Sequence, residues 1–464
     1  DKDTITLLDE NGQPAESVVA KSPEGKEIGT FTVDKETGLV TFTPTDKSYS
    51  GDVVPVKVQG KDTNGTVAET TYTPKITPVV PTAEPATSTD IQGATQTGTP
   101  TFSGTTVQVN GEDKAITIKD NSYTLLDNDG NEVTSTPAYA ADGTTEIGTY
   151  SIDSATGQVT FTPTDKSYTG VVTPAKVQAE SSNGIKVDTT YTPEIVPVTP
   201  TATPAETEDI QGATQTGKPE FKGGTVTVDG VEKTVAINEA VPATFDDGST
   251  TKTVDGVGTY TVAADGTVTF VPEKSFTGKA PAVTVVREDK NGTKASATYT
   301  PTVTPVTPTA EDTTSTDKQG QTQTGTPTFT PGNPNVPMDD DTPATFEDGS
   351  TTKNIPGEGT YTVAPDGTVT FVPEKSFTGT GTGVTVKRVD KNGTEITAKY
   401  TPTVTPVTPT AAPAETTDIQ GATQTGKPEF TAGDSRVPMN DDVPATFDDG
   451  STTKTVDGVG TYTV

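Results

Sequence analysis

The chain has 464 residues, a formal charge of −32, only 29% hydrophobic residues, and no Cys, His or Trp. Missing Cys and His removes disulfides, zinc-thiolate sites, the commonest general base and the most reactive nucleophile. The acidity excludes nucleic acid and anionic membrane surfaces as partners, since both select basic faces.

A low bulky-apolar content with a large net charge is also the mark of disorder, so order has to be found in the pattern. No run of about 18 apolar residues predicts a membrane span. From the polar opening "DKDTITLLDE" we expect no signal peptide in this sequence. The acidic residues lack the apolar surroundings that tune a carboxylate pair, and we expect no enzyme.

Along the chain one block recurs. "GTFTV", "GTYSI" and "GTYTV" begin at Gly29, Gly148, Gly258, Gly359 and Gly460, in steps of 119, 110, 101 and 101 residues. Such a period exceeds that of solenoids and matches independent tandem domains. In the first copy a hairpin around "KETG" places Val33 opposite Val40 and Phe31 opposite Phe42. In the second, around "SATG", Ile152 faces Val159 and Tyr150 faces Phe161.

The third and fourth copies shorten the loop by one residue. Val262 then meets Val268 and Tyr260 meets Phe270, and Val363 meets Val369 and Tyr361 meets Phe371. A one-residue slip turns every side chain to the other face. One apolar face survives two loop lengths, so the chain folds.

A second hairpin follows in each copy, closed by an Asn-Gly tip. It pairs Val56 with Tyr72, Ala175 with Tyr191, Val283 with Tyr299 and Val384 with Tyr400. No segment has a helical period. Strands with one apolar face need a second sheet, which predicts an all-β array of Ig-like β-sandwiches. The divisions are a partial repeat over 1–80, whole repeats over 81–199, 200–307 and 308–408, and a partial repeat over 409–464.

After each second hairpin comes "YTPTVTPVTPTA" or a variant. Proline fixes φ and removes an amide donor. We therefore expect the last strand to end at Tyr299 and its equivalents, with a polyproline-like linker following as a semi-rigid spacer. The alternative is an edge strand packed on the domain. The final "GTYTV" lacks its returning strand, and we expect that last segment to be the least well packed.

Candidate sites each have a plainer account. "DNDGNE" (Asp127–Glu132), "VPMDDDTPATFEDGS" and "PMNDDVPATFDDG" offer oxygen ligands for calcium, but Asp, Asn and Gly also collect in turns for backbone reasons. Lys57 and Lys176 alternate with apolar neighbours and point outward, away from any isopeptide crosslink. The "NGT" sequons at Asn64, Asn291 and Asn392 fall at hairpin tips. Tyr260, Phe270 and Tyr299 are assigned to the core, which leaves no aromatic ligand patch. No catalytic, metal or cofactor residue is assigned.

The order "GTYTV…DGTVTFVPEKSFTG…VTV…DKNGT…YTPTVTPVTPTA…QGQTQTGTPTF" resembles the CshA-type fibril repeat of Gram-positive, notably streptococcal, surface adhesins. The resemblance implies tandem sandwiches in a fibril that projects an adhesive region lying outside this chain. It also implies an extracellular, wall-anchored position, whose signal and anchor are not in this sequence. Partners would be neighbouring fibrils or host and bacterial surfaces. The other readings are repeats that themselves bind host matrix or partner cells, and a calcium-stiffened rod. The second copy carries extra sequence around "VNGEDKAITIKDNSYTLLDNDGNEVTS", a departure from a uniform repeat.

Overall fold

A computed structural model of the chain describes residues 4–464; these contain strands and turns and no α-helix. They pack as two compact units. Of the described residues the first comprises 4–203, Glu220–Ala243 and Val286–Ala297, and the second Pro204–Pro219, Thr244–Val285 and Thr298–Val464.

In the first unit the second repeat is a sandwich of two sheets. One sheet orders Gln96–Gly98, Val159–Pro163, Glu146–Ile152 and Ser135–Tyr139, all antiparallel. Its central hairpin has the register read from the sequence, with Tyr150 opposite Phe161 and Ile152 opposite Val159. The other sheet orders Ala86–Ile91, Lys186–Val196, Ala175–Glu180, Thr124–Leu126 and Glu132–Val133. Ala175 lies opposite Tyr191 as expected.

Between the sheets Leu125, Ile147, Tyr150, Val159, Phe161, Val177 and Tyr191 are all but sealed from solvent. Tyr150 meets Phe161 at 5.6 Å and Tyr191 edge-on at 6.2 Å, geometries that add to simple burial. The first repeat keeps the Phe31–Phe42 and Val56–Tyr72 pairings.

The extra sequence of the second copy resolves into two ordinary hairpins. Thr106–Val109 pairs with Glu112–Ala115, as Gly224–Val228 pairs with Val231–Val235. Thr124–Leu126 pairs with Glu132–Val133, as Thr6–Leu8 pairs with Pro14–Ala15. The second repeat carries both hairpins, the first of which the third repeat shares and the second of which the first repeat shares.

The second unit repeats the plan in the fourth repeat. One sheet orders Gln323–Gly325, Val369–Pro373, Gly359–Val363 and Thr352–Ile355. The other orders Thr313–Lys318, Glu395–Thr405, Val384–Val389 and Thr345–Phe346. Tyr361 stacks on Phe371 at 4.4 Å and meets Tyr400 edge-on at 6.4 Å. The same hairpin in the third copy pairs Tyr260 with Phe270. Toward the end of the chain Ile419, Phe430 and Tyr462 are 79%, 57% and 53% exposed, whereas Tyr260 and Tyr361 are at 0%. The last segment is loosely packed, as expected.

The Pro-rich segment departs from expectation. In the first repeat the last strand ends at the tyrosine as expected, at Val67–Tyr72, but in the whole repeats it does not: Glu395–Thr405 runs through Pro402, and it is an interior strand rather than an edge. Its second half pairs in parallel with Thr313–Lys318, Thr313 opposite Tyr400 and Lys318 opposite Thr405. Pro402 O accepts from Gly381 N at 2.9 Å. In an extended strand the N and O of one residue point to the same flank. The missing N–H therefore faces Gly381, where the ladder is interrupted, and the parallel ladder on the opposite flank loses nothing. Pro301 is placed the same way, its O accepting from Ala280 N at 2.9 Å. Residues 77–81, Thr-Pro-Val-Val-Pro, and residues 197–200, 305–308 and 406–409, each Pro-Val-Thr-Pro, lie outside strands as links. The Pro-rich linkers are real but only four or five residues long.

Candidate functional site: the joints between repeats

The motif "QGATQTG" carries two glutamines with different roles. The second lies in the sandwich. Gln96, Gln215 and Gln323 are nearly sealed, at 3%, 3% and 4% exposure. Gln96 Oε1 accepts from Ser88 Oγ at 2.7 Å, Ser88 shares a 2.7 Å hydrogen bond with the Tyr191 hydroxyl, and Gln96 Nε2 donates to Glu194 O at 3.0 Å. Thr207, Gln215 and Tyr299 repeat this at 2.6 and 2.7 Å, with Gln215 Nε2 on Thr302 O. Ser315, Gln323 and Tyr400 do so at 2.6 and 2.6 Å, with Gln323 Nε2 on Thr403 O.

Each network ties the parallel strand, the last strand and the facing sheet together while satisfying every polar group it buries. Burial raises the pKa of all three tyrosines, partly offset by these hydroxyl contacts. The glycine closing the motif has a steric reason. A Cβ on Gly217 or Gly325 would lie 2.2 or 2.4 Å from the Tyr299 or Tyr400 ring.

The first glutamine clamps the joint. Gln92 is 1% exposed, and its N donates to Val196 O at the end of the last strand. Its Oε1 accepts from Val198 N in the link at 3.2 Å, and its Nε2 donates to Ser167 O at 2.9 Å and to Thr293 Oγ1 of the next repeat at 2.6 Å. The third repeat's Asn-Gly tip completes the contact: Asn291 Nδ2 donates to Gln92 O at 2.7 Å. The tip is held by Asp289, wholly buried, whose Oδ1 accepts from Asn291 N and Thr293 N at 2.8 and 2.9 Å. Lys233 pairs with Asp90 at 2.5 Å beside it.

The next joint reuses these parts. Gln211 Oε1 accepts from Val306 N at 3.2 Å, Nε2 donates to Lys274 O at 2.9 Å, and Asn392 Nδ2 donates to Gln211 O at 2.8 Å. Asp390 Oδ1 holds that tip. Close approach requires glycine after the clamp, since a Cβ on Gly93 or Gly212 would lie 2.5 or 2.3 Å from the docked asparagine's Oδ1. At the last joint Gln319 Oε1 accepts from Val407 N at 3.3 Å, and Arg436 pairs with Asp317 at 2.9 Å.

The surface adhesin CshA repetitive domain matches residues 1–76, 78–195, 197–303, 305–404 and 406–464. The chain belongs to this family. Among solved structures it is similar to a tetra-tandem repeat from the extending region of a large adhesion protein, at 17% identity, covering 87% of this chain and 92% of that one with a TM-score of 0.23. It is also similar to mouse cadherin-23 EC22–24, at 14% identity over 71% of this chain and 100% of that one, TM-score 0.28. For the titin I9–I11 tandem the values are 11%, 71%, 98% and 0.25. No curated protein matches the chain.

In these CshA-type repeats the acidic clusters are engaged by their own loops. Asp127 Oδ1 accepts from Asp129 N and Asn131 N at 2.9 and 2.8 Å, and hydrogen bonds from Asn131 lower its pKa. Asp339 and Asp341 both hold Lys391, at 2.5 and 2.7 Å, and the Lys391 contact lowers Asp339 to about 2. Asp340 holds Arg388 at 2.6 Å. Among the described residues no group of three acids is arranged to hold a metal ion, and no helix is long and apolar enough to cross a membrane.

Lys57 and Lys176 are exposed. Tyr260, Phe270 and Tyr299 are at 0% exposure. The sequon residues Asn291 and Asn392 are the docking residues of the joints, a role sequence reasoning did not find. The signal was present: "DKNGT" and "QGATQTG" both recur from repeat to repeat, as two halves of one contact would.

Proposed function

We propose that the chain is a length of the stalk of a cell-surface fibrillar adhesin, extracellular and wall-anchored through regions outside this sequence. The repeats act as non-catalytic spacers that carry an adhesive region away from the cell. The observation that supports this best is the joint. Gln92 and Gln211 use main-chain and amide hydrogen bonds to seat the next repeat on a four-residue link, so one contact serves repeat after repeat. A part that copies itself in series suits a spacer. The net charge of −32 would keep neighbouring stalks apart by repulsion. We place the repeat boundaries in the Pro-Val-Thr-Pro links.

The test is adhesion of the 464-residue chain alone to immobilised host matrix and to whole cells. Background retention on every surface is the expected result. Saturable retention would instead make the repeats the binding module and overturn the spacer role.

A further inference from the structure

The tips that close the joints are Asn-Gly pairs, Asn291-Gly292 and Asn392-Gly393, and the exposed first-repeat tip Asn64-Gly65 has the same turn. Glycine leaves its own amide nitrogen unshielded, and that nitrogen is the nucleophile of asparagine deamidation. In the docked tips the atom that would leave is the atom that holds the joint, Asn291 Nδ2 on Gln92 O and Asn392 Nδ2 on Gln211 O. The attacking nitrogens are engaged as well. Gly292 N donates to Asp289 O and Gly393 N to Asp390 O, both at 2.9 Å.

We propose that Asn291 and Asn392 are deamidation latches: they react only while their joint is open, and a joint so modified no longer closes. Gly292 N loses its proton and attacks Asn291 Cγ, the Cγ–Nδ2 bond breaks, and the nitrogen departs as ammonia. The resulting succinimide takes up water at either carbonyl to give aspartate or isoaspartate. No oxidant or co-reactant besides water is needed.

The aspartate product sets an oxygen where Nδ2 stood, and the isoaspartate product reroutes the main chain through Cγ, so that neither keeps the amide donor. A carboxylate then faces the Gln92 carbonyl without a proton between them, in the turn held by the buried Asp289. The tip has no room to step aside, because the backbone at Gly93 lies against Asn291 Oδ1. Asn291 and Asn392 are half-buried, and an unpaired charge there costs more than the hydrogen bond it replaces.

Asn64 is the internal reference. Its N donates to Asp62 Oδ1 at 2.9 Å and Gly65 N donates to Asp62 O at 3.0 Å, the same turn with an exposed side chain. The full chain is aged in mildly alkaline buffer and mapped by peptide mass spectrometry. Asn64 should convert about tenfold faster than Asn291 or Asn392, the protection expected of one net hydrogen bond against local opening.

Gly93→Ala should bring Asn291 close to the Asn64 rate and leave Asn392 unchanged. Equal rates at all three asparagines in the unaltered chain, or no response of Asn291 to Gly93→Ala, would overturn the proposal. Asn291→Asp tests the latch directly, without relying on the strained Gly93 variant. Amide exchange at Val198 should rise about tenfold while exchange in the Tyr150 strand stays constant. Unchanged exchange at Val198 would refute the failure to reclose.

Discussion

Replacing Gln323 by leucine keeps the side chain's bulk and removes its polar end. Two buried hydrogen bonds go: Ser315 Oγ to Oε1 at 2.6 Å, and Nε2 to Thr403 O at 3.0 Å. Each is worth about 1 kcal/mol net, and leaving a buried acceptor unsatisfied costs about 1–3 kcal/mol more. Ser315 keeps the Tyr400 hydroxyl as a partner, which limits the total loss to about 2–4 kcal/mol.

For a domain of this size that corresponds to a fall in Tm of roughly 10–25 °C. Calorimetry on the full chain should show one component moving, the fourth repeat, because Ser315, Gln323 and Tyr400 belong to it. Ser315→Ala combined with Gln323→Leu should cost less than the sum of the two single changes, since the network shares its unsatisfied atoms. A shift below about 3 °C, or strict additivity of the pair, would refute the view that this network stitches the two sheets.

Acid should destabilise the array in a defined window. Asp46, Asp142, Asp247 and Asp339 are lowered from 3.8 to about 2, chiefly by hydrogen bonds to Lys26, Thr145, Ser249 and Lys391 respectively. A carboxylate lowered by folding contributes stability that is complete above its unfolded value and lost as pH falls through its folded one. Denaturant midpoints should hold above pH 3.8 and drop between there and about 2; a flat profile across that window would contradict these contacts. Pro402→Ala should change stability by less than about 1 kcal/mol by urea titration, because the restored N–H faces the interrupted flank at Gly381 and only chain entropy changes. A chelator should leave Tm unchanged, since Asp127, Asp339, Asp340 and Asp341 are taken by loop amides and by Lys391 and Arg388; a fall in Tm would restore the calcium-stiffened rod.

The hairpins could be read from the sequence because their information is local. Tyr260 and Phe270 are ten residues apart, and a period-2 pattern meeting a turn admits one register that keeps the apolar face together. The sequence by itself therefore determined the repeat period, the hairpin registers, the core tyrosines and the all-β class. It also marked the tips and the Gln-Gly turns as recurrent without saying that they meet.

What tertiary structure decided depends on partners far away in the chain. Thr313–Lys318 has little apolar pattern of its own and becomes a strand only by lying parallel to residues 400–405. Ser88 finds Tyr191 across 103 residues, and Asn291 finds Gln92 across 199. The prolines misled for the same reason. Proline forbids a donor on one flank only, and which flank the last strand needs is fixed by the strands that come to lie beside it.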